Sequence, residues 1–192
     1  LGSPPALRTP PTKEDEMDKW LLAMMASGAT VVVLDNVSRL ASAALSAALT
    51  GDKITGRVLG ASQIGEYAVA CQWIGTGINS GLSTEIYRRV VDVRLDAKMS
   101  NPEDRPADSF RIPNLPRYLR ENRRELVRAD LTLIQWWVAQ GMPKNTGPGK
   151  ASFDLWSDAM GGIMESLNIR GFGDTPAERR PEDPDREKIT DL

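Results

Sequence analysis

The chain has 192 residues, of which 41% are hydrophobic, and a formal net charge of −2. These values predict one globular domain with at most a small appendage, and they give no overall electrostatic signal for nucleic acid. The absence of histidine excludes histidine-based catalytic triads and most zinc sites. The single cysteine, Cys71, excludes an internal disulfide framework, which suits the cytoplasm, and no apolar run reaches the roughly 18 residues that a membrane span needs.

The first 28 residues predict an extended arm followed by a helix. Residues 1–12 are rich in proline, which favours extended backbone. From Thr12 onward, acidic residues occupy the first turn of a predicted helix, and Gly28 would end it. Apolar residues recur at helical spacing and predict a face packed on a sheet: Met17, Leu21, Met24 and Met25.

A buried strand is predicted at residues 31–34. All four residues are apolar and three are β-branched, which is typical of a strand in a parallel sheet. Asp35 and Asn36 follow directly, and ligands of open α/β sheets bind just past the carboxyl ends of such strands. Asp35 therefore has two interpretations. It caps the next helix, or it holds Mg²⁺ beside a nucleotide phosphate, as in the Walker B strand of an ATPase. This segment alone favours the capping interpretation.

The next segments predict a short helix and a hairpin. Residues 41–49 are small and apolar, which indicates a helix with its leucines facing inward. Residues 54–59 and 64–70 have the composition of two strands, and residues 60–63 would form the turn between them.

A second buried strand, predicted at residues 69–74, strengthens the metal interpretation of Asp35. It ends in a polar turn at residues 75–79. In the ATPase layout, the strand beside Walker B ends in a polar residue called sensor 1, which positions the attacking water. Asn79 fits this role, with Thr76 in support.

A short helix and a third strand are predicted next. Ser83 is the expected N-cap of a helix that runs to Arg89, and residues 90–95 are predicted to form an apolar strand. Arg88 and Arg89 lie where such ATPases carry an arginine finger, a guanidinium that stabilises charge on the transferred phosphoryl group. The sequence does not decide between the two arginines.

Two further helices are predicted, at residues 115–140 and 153–169. The pair Gly161–Gly162 inside the second helix predicts close packing there, since glycine weakens a helix interior. Four arginines of the first helix share one face, which either contacts a DNA backbone or is solvated: Arg117, Arg120, Arg124 and Arg128. The interleaved Glu121 and Glu125 favour a solvated face with ion pairs between neighbouring turns.

The order and spacing of these segments resemble a known family. The chain is similar to the C-terminal ATPase region of phage and plasmid replication proteins of the primase–helicase type, which have an AAA+ or superfamily 3-like P-loop NTPase core. The resemblance covers about residues 12–173. Seven segments carry it: 31–37 (VVVLDNV), 45–49 (LSAAL), 55–60 (TGRVLG), 73–79 (WIGTGIN), 82–96 (LSTEIYRRVVDVRLD), 119–126 (LRENRREL) and 152–171 (SFDLWSDAMGGIMESLNIRG).

The resemblance implies an α/β fold. Residues 13–97 would form a partial P-loop NTPase core, AAA+-like, with a parallel sheet and flanking helices. Residues 98–114 would be a linker, and residues 115–173 a helical, lid-like subdomain. Residues 1–12 would be the proline-rich arm, and residues 174–192 a disordered, charged tail.

The implied activity is that of an ATP-driven DNA helicase or translocase in phage or plasmid replication, in the cytoplasm of a bacterial host. ATP and Mg²⁺ would be the cofactors and DNA a partner. Asp35 would hold the metal, and Asn79 with Thr76 would orient the attacking water. Arg88 or Arg89 would reach the site of a neighbouring subunit, which implies a homo-oligomeric ring, by analogy a hexamer.

The same resemblance implies a function for the predicted hairpin. In related ATPases, a hairpin between Walker B and sensor 1 projects into the central pore and grips DNA. Lys53 and Arg57 would then contact DNA phosphates. The alternative is an ordinary surface hairpin with two solvated cations, and the sequence leaves both open.

The chain also departs from this family. No phosphate-binding loop of the form GxxxxGK[ST] precedes residue 31, and Gly147–Lys150 lacks the composition to replace it. We therefore expect an N-terminally truncated chain that binds nucleotide poorly by itself. Asn36 stands where many such ATPases have a catalytic glutamate, and an amide cannot act as a general base. Two alternatives remain: a non-catalytic ATPase remnant that serves as an oligomerisation or DNA-binding module, and a different P-loop machine.

Overall fold

The computed structural model describes residues 7–57, 63–150, 153–169 and 171–173. These residues divide into two compact units, which we name the N-terminal unit (residues 7–90) and the C-terminal unit (residues 91–173). The chain is mixed α/β, with small parallel sheets and several helices. Among the helices of the described ranges, none is both long and apolar enough to cross a membrane.

The N-terminal unit alternates short strands and helices. In chain order its elements are β1 (Leu7–Arg8), α1 (Glu14–Ala26), β2 (Val31–Leu34), β3 (Arg39–Leu40), α2 (Ala43–Ala48), β4 (Lys53–Arg57), β5 (Ile64–Ala68), β6 (Gln72–Gly75), β7 (Gly81–Leu82) and α3 (Thr84–Tyr87).

The principal sheet is parallel and has the strand order β1-β2-β6. The parallel pairing of β2 with β6 confirms the predicted adjacent strands, and β2 is buried as predicted. The second strand was predicted to be buried over residues 69–74, but β6 is mostly exposed, with Ile74 45% exposed, and it begins only at Gln72. Cys71 therefore precedes the strand; it is half-buried, and burial raises the pKa of its thiol. A second parallel pair joins β3 to β7.

The predicted hairpin is present as the antiparallel pair β4 and β5, in a register that places Lys53 opposite Ala68 and Arg57 opposite Ile64. Residues 58–62, which include most of the predicted turn, lie outside the described residues, as do the charged tail at 174–192 and the first half of the N-terminal arm.

Helices α1 and α2 form the core of the N-terminal unit with one face of the sheet. The buried side chains of the core cluster are Met17, Leu21, Met25, Val32, Leu34, Val37, Leu40, Leu45, Ala48 and Ile86. Glu14 links the two helices, because its Oε1 accepts a hydrogen bond from Ala44 N at 2.7 Å at the first turn of α2. Ser42 Oγ accepts from Leu45 N at 3.0 Å. The sequence predicted Glu14 only as a favourable acid for its own helix, yet it also caps the next one.

At the end of the N-terminal unit, the structure agrees with one prediction and contradicts another. Ser83 is the N-cap of α3 as predicted, with its side chain accepting from Ile86 N. The predicted strand at residues 90–95 is wrong, because residues 90–97 have no regular structure and Val93 and Leu95 are exposed. Apolar residues alone do not make a strand, since a strand also needs a neighbouring backbone to pair with. No described strand pairs with this segment.

The C-terminal unit is helical. It contains α4 (Leu115–Glu121), α5 (Arg123–Ala139) and α6 (Asp154–Ser166), preceded by two single 3₁₀ turns at Pro102–Asp104 and Ala107–Ser109. The predicted helix at 115–140 is therefore interrupted at Asn122. The backbone N–H of Asn122 makes the regular helical hydrogen bond to Tyr118 O at 2.9 Å. Its side-chain amide donates to the same carbonyl, also at 2.9 Å, and this local side-chain bond can compete with a regular helix.

Close packing at Gly161–Gly162, predicted from the sequence, is present. A Cβ on Gly162 would lie 2.0 Å from Pro143 O, and one on Gly161 would lie 2.4 Å from the Asn145 side chain. The segment that leads into α6 therefore lies directly on this helix. Lys144 Nζ also donates to Asp158 Oδ2 at 2.7 Å.

Lys150, at the end of the Gly147–Lys150 segment, is only 8% exposed. Burial lowers the pKa of its ammonium, and the charge of Asp92 opposes this shift to a smaller extent. A lysine that binds phosphate must present its charge to the ligand, so this position agrees with the expectation that the segment is no phosphate loop.

We predict that Ile86→Ala destabilises the N-terminal unit by about 2–5 kcal/mol, because Ile86 is 1% exposed and its loss leaves a cavity in the core. The matched control is Ile78→Ala, at a side chain that is 88% exposed, which should change stability by less than about 0.5 kcal/mol. Urea unfolding followed by tryptophan fluorescence measures both. Equal losses for the two variants would contradict the assigned core.

Candidate functional site

Two polar side chains meet where the adjacent strands β2 and β6 end. These strands are parallel, and their register places Leu34 opposite Gly75. Asp35 and Thr76 therefore leave the sheet side by side at the same edge. Thr76 Oγ1 donates a hydrogen bond to Asp35 Oδ1 at 2.7 Å. This contact brings together Asp35 and Thr76, two of the residues that the sequence selected.

Backbone hydrogen bonds hold both residues in place. Thr76 N donates to Leu34 O at 2.9 Å, and Val37 N donates to Thr76 O at 2.8 Å, so the pairing of the strands extends beyond their ends. On the other side, Asp35 N donates to Arg8 O at 2.8 Å. The backbone at Asp35 and Thr76 is therefore held by hydrogen bonds that join three chain segments.

The loop after β6 folds back onto residue 37. Ser80 Oγ donates to Val37 O at 2.6 Å. Gly77 is required beneath this contact, because a Cβ there would lie 2.2 Å from both Ser80 Oγ and Val37 O. Asn36 lies at the start of the opposing turn with φ 54°, a left-handed conformation that asparagine tolerates. Its side chain is exposed at this edge.

Asn79, predicted as the sensor residue, belongs to the same loop and is exposed, with φ 50°. Its side chain makes no hydrogen bond to any residue in the described ranges. Thr76, predicted only to support Asn79, is the residue that contacts Asp35 directly. The signal for this was available, since Thr76 is the first residue after β6, at the register position of Asp35.

The edge at Asp35 offers a metal ion only one carboxylate from the described residues. Within the described residues, no cluster of three or more histidine, cysteine, aspartate or glutamate side chains could enclose a metal ion. Asp35 provides one carboxylate, of which Oδ1 accepts from Thr76, and Oδ2 has no hydrogen-bond partner among the described residues. Mg²⁺ is commonly held by one or two carboxylates together with water and substrate phosphates. The described residues therefore do not enclose a metal ion, and any ion at this edge would need most of its ligands from water or from a bound molecule.

The two candidate arginines differ in their surroundings. Arg89 is half-buried; its Nη1 donates to Glu85 O one turn earlier, and its Nε is buried without a hydrogen-bond partner. Arg88 is exposed and forms no ion pair or side-chain hydrogen bond with the described residues. Of these two arginines, Arg88 is the more exposed, and it alone makes no side-chain hydrogen bond within the described residues.

The cations predicted to contact DNA also differ. Lys53 Nζ pairs with Glu66 Oε1 at 2.7 Å across the hairpin, so part of its charge is already compensated. Arg57 is exposed at the end of β4 and has no ion pair among the described residues. In the C-terminal unit, Arg117 pairs with Glu121 at 2.7 Å, as the solvated-face interpretation predicts.

Comparison of the chain with protein-family models, curated proteins and solved structures gives no match. The resemblance to primase–helicase proteins therefore stays a prediction from the sequence. A function for this chain rests on the residues that meet at the end of β2 and β6.

We predict that Asp35 and Thr76 are energetically coupled by about 0.5–1.5 kcal/mol, the net contribution of a hydrogen bond in a folded protein. A double-mutant cycle with Asp35→Ala and Thr76→Val, measured by urea unfolding, gives this value. Thr76→Ser keeps the hydroxyl and is the control. A coupling energy below about 0.3 kcal/mol would show that the contact does not contribute in solution.

Proposed function

We propose that this chain provides part of the ATP site of a DNA helicase or translocase of phage or plasmid replication. In this proposal it supplies the residue that binds Mg²⁺ and the residues that orient the attacking water. The observation that carries the proposal is the hydrogen bond from Thr76 to Asp35 at the carboxyl end of two adjacent parallel strands. Ligands of parallel sheets bind at such ends, and a strand-terminal carboxylate is the usual protein ligand of nucleotide-bound Mg²⁺.

Each residue at this edge has a separate role in the proposal. Asp35 would bind the metal through Oδ2, because Oδ1 is held by the Thr76 hydroxyl. Mg²⁺, when bound, supplies positive charge that offsets the charge of the β- and γ-phosphates. Asn79 has an exposed amide that can orient water by hydrogen bonding. Asn36 can do the same but cannot accept a proton, so it is a positioning residue and not a general base.

The remaining parts of the site would come from elsewhere. Residues 1–192 contain no GxxxxGK[ST] loop, so in this proposal the phosphates are held by polypeptide outside these residues. Arg88 would reach the nucleotide of a neighbouring subunit, because its guanidinium is exposed whereas that of Arg89 is bound to its own helix. An arginine finger that reaches the site of a neighbouring subunit implies a ring of identical subunits, and we propose that this ring is a hexamer.

The proposed contact with DNA is the β4–β5 hairpin. Arg57 is its candidate phosphate ligand, since a cation without an intramolecular partner gains most from a phosphate. Before Lys53 could contact a phosphate, its ion pair with Glu66 would have to break. Glu66 therefore limits the positive charge that the hairpin offers to nucleic acid.

The second candidate function is a non-catalytic module, in which the ATPase architecture is kept for oligomerisation or DNA binding. The lack of a phosphate loop in residues 1–192 and the amide at Asn36 favour it. The two candidates differ in whether the edge at Asp35 binds a metal nucleotide.

We predict that Mn²⁺ with ATP, used as a paramagnetic stand-in for Mg²⁺, selectively broadens the amide NMR signals of residues 35–36 and 76–79. The reason is that Asp35 Oδ2 is the open carboxylate oxygen at this edge. Asp35→Ala should abolish the selective broadening. Asp18→Ala, which removes an exposed carboxylate from the surface of α1, is the matched control and should leave it unchanged.

Broadening that persists in Asp35→Ala, or that is spread evenly over exposed carboxylates, would remove Asp35 from the metal site. The non-catalytic candidate would then be the better explanation of the chain.

We predict that Arg57→Ala weakens binding of a labelled oligonucleotide and lowers the dependence of log K on log salt by about one, as expected for one lost phosphate contact. Lys53→Ala should have a smaller effect, because its ammonium is compensated by Glu66. Fluorescence anisotropy over a salt series, with single- and double-stranded DNA, measures both slopes. Identical slopes for Arg57→Ala and the unmodified chain would exclude the hairpin as the DNA contact.

A further inference from the structure

The C-terminal unit contains a cavity of about 340 Å³ at the end of α6. Its first wall is the segment 145–148, and its second wall is formed by Glu165 and by residues that follow α6. This volume is at the lower end of the range for small-molecule sites, so a ligand that fits it is small. Apolar and polar side chains both line the cavity: Pro148, Ile169 and Phe172 are apolar, and Asn145, Glu165 and Asn168 are polar.

Contacts between the two walls hold the cavity in place. Thr146 N and Oγ1 donate to the carboxylate oxygens of Glu165 over distances between 2.9 and 3.2 Å. Gly173 lies so close to the first wall that a Cβ there would be 2.2 Å from Pro148 O. The cavity is therefore formed by segments that are hydrogen-bonded and packed against each other.

The described charges at this cavity are negative. Glu165 has no ion pair with a described residue, and it lies in the last turn of α6, which has no basic residue. The negative end of the helix dipole adds to its charge. Two lysines flank the first wall in the chain, but Lys144 pairs with Asp158 at 2.7 Å and Lys150 is buried, and neither is among the described residues that line the cavity. Arg170 lies outside the described residues.

The hydrogen bonds of Glu165 favour an ammonium ligand over a guanidinium ligand. Thr146 N and Oγ1 each lie within hydrogen-bonding distance of both carboxylate oxygens, so they occupy the side of the carboxylate between these oxygens. A guanidinium binds a carboxylate best from that same side, through two parallel hydrogen bonds. The remaining lone pairs point away from each other and each accept a single donor, which suits the compact ammonium group.

The rest of the lining suits a short alkyl chain next to the charged group. Ile169 and the ring of Phe172 provide apolar surface, and the ring of Trp156 on α6 lies 5.5 Å from that of Phe172 between centroids. An aromatic ring also attracts a cation. The side chain of Asn168 is exposed and makes no hydrogen bond to a described residue, so its oxygen can accept a second N–H of the ligand.

We propose that this cavity binds a small primary ammonium ion that carries a short alkyl chain. The ammonium group donates hydrogen bonds to Glu165 and Asn168, and the alkyl chain lies against Ile169 and Phe172. Because Glu165 is exposed, water and salt screen its charge, so we expect a dissociation constant in the millimolar range. The site uses residues of the C-terminal unit alone and does not depend on the proposed nucleotide site.

The first test is a titration with n-butylammonium chloride at neutral pH and constant total chloride, followed by amide NMR. We expect saturable shifts confined to residues 145–147 and 165–172, and none with n-butanol or butyrate, which lack the positive charge. Glu165→Gln should weaken binding by at least about tenfold, because it replaces a charged acceptor with a neutral one of the same shape. Glu125→Gln removes the same charge from an exposed position on α5 and should leave binding unchanged.

The second test uses a variant that keeps the fold even where Glu165→Gln does not. Asn168 has φ 57°, which glycine adopts freely, so Asn168→Gly preserves the backbone and removes only the second acceptor. It should weaken binding about threefold or more. Arg170→Gln should leave binding unchanged or strengthen it, because it removes a like charge. Butylguanidinium should bind more weakly than butylammonium.

Four outcomes would overturn the proposal. The first is equal binding of n-butanol or butyrate, and the second is unchanged affinity in a folded Glu165→Gln chain or in Asn168→Gly. The third is loss of binding in Arg170→Gln, which would indicate an anion site. The fourth is butylguanidinium binding as tightly as butylammonium, which would contradict the role of Thr146 at the carboxylate.

Discussion

The register between β2 and β6 is the constraint on which the rest of the candidate site depends. It pairs Leu34 with Gly75 and so brings Asp35 and Thr76, which are 41 residues apart in the chain, within hydrogen-bonding distance. A shift of one residue would turn every side chain of β6 to the other face of the sheet. Trp73 would then leave the core against which it packs, and Asp35 would lie beside a glycine. Packing of the core thus fixes the position of the polar edge.

The residues that stabilise the N-terminal unit are different from those that could carry chemistry. Helix α1 packs Met17, Leu21 and Met25 into the core that Val32 and Leu34 of β2 also enter, and these side chains are almost fully buried. Beyond the strand ends, Thr76 and Asn79 are exposed. Their backbone is nevertheless restrained, because the loop that carries them is hydrogen-bonded to Val37. The edge beyond the buried strand β2 thus presents polar side chains to solvent on a backbone that is hydrogen-bonded to neighbouring segments.

The sequence predicted those features that depend on local pattern. Helix α1, the apolar run of β2, the hairpin strands and the close packing at Gly161–Gly162 were each indicated by a pattern of residues within a single segment. Features that depend on distant partners were missed. Residues 90–95 have the composition of a strand but no strand to pair with. The contact of Thr76 with Asp35, and the difference between Arg88 and Arg89, follow from a register and from a side-chain rotamer that no local pattern specifies.

The two units achieve their packing by different means. Every buried hydrophobic residue lies between Met17 and Ile86, and in the described part of residues 91–173 no hydrophobic side chain is buried to the same degree. There the described contacts include the hydrogen bond of Thr146 with Glu165, the close approach of Pro143 to Gly162, and the ring contact of Trp156 with Phe172. Hydrogen bonds and close backbone contacts define a conformation but remove little apolar area from water. The apolar side chains of α5 accordingly stay exposed: Val127, Leu131, Leu133, Ile134, Trp136 and Val138.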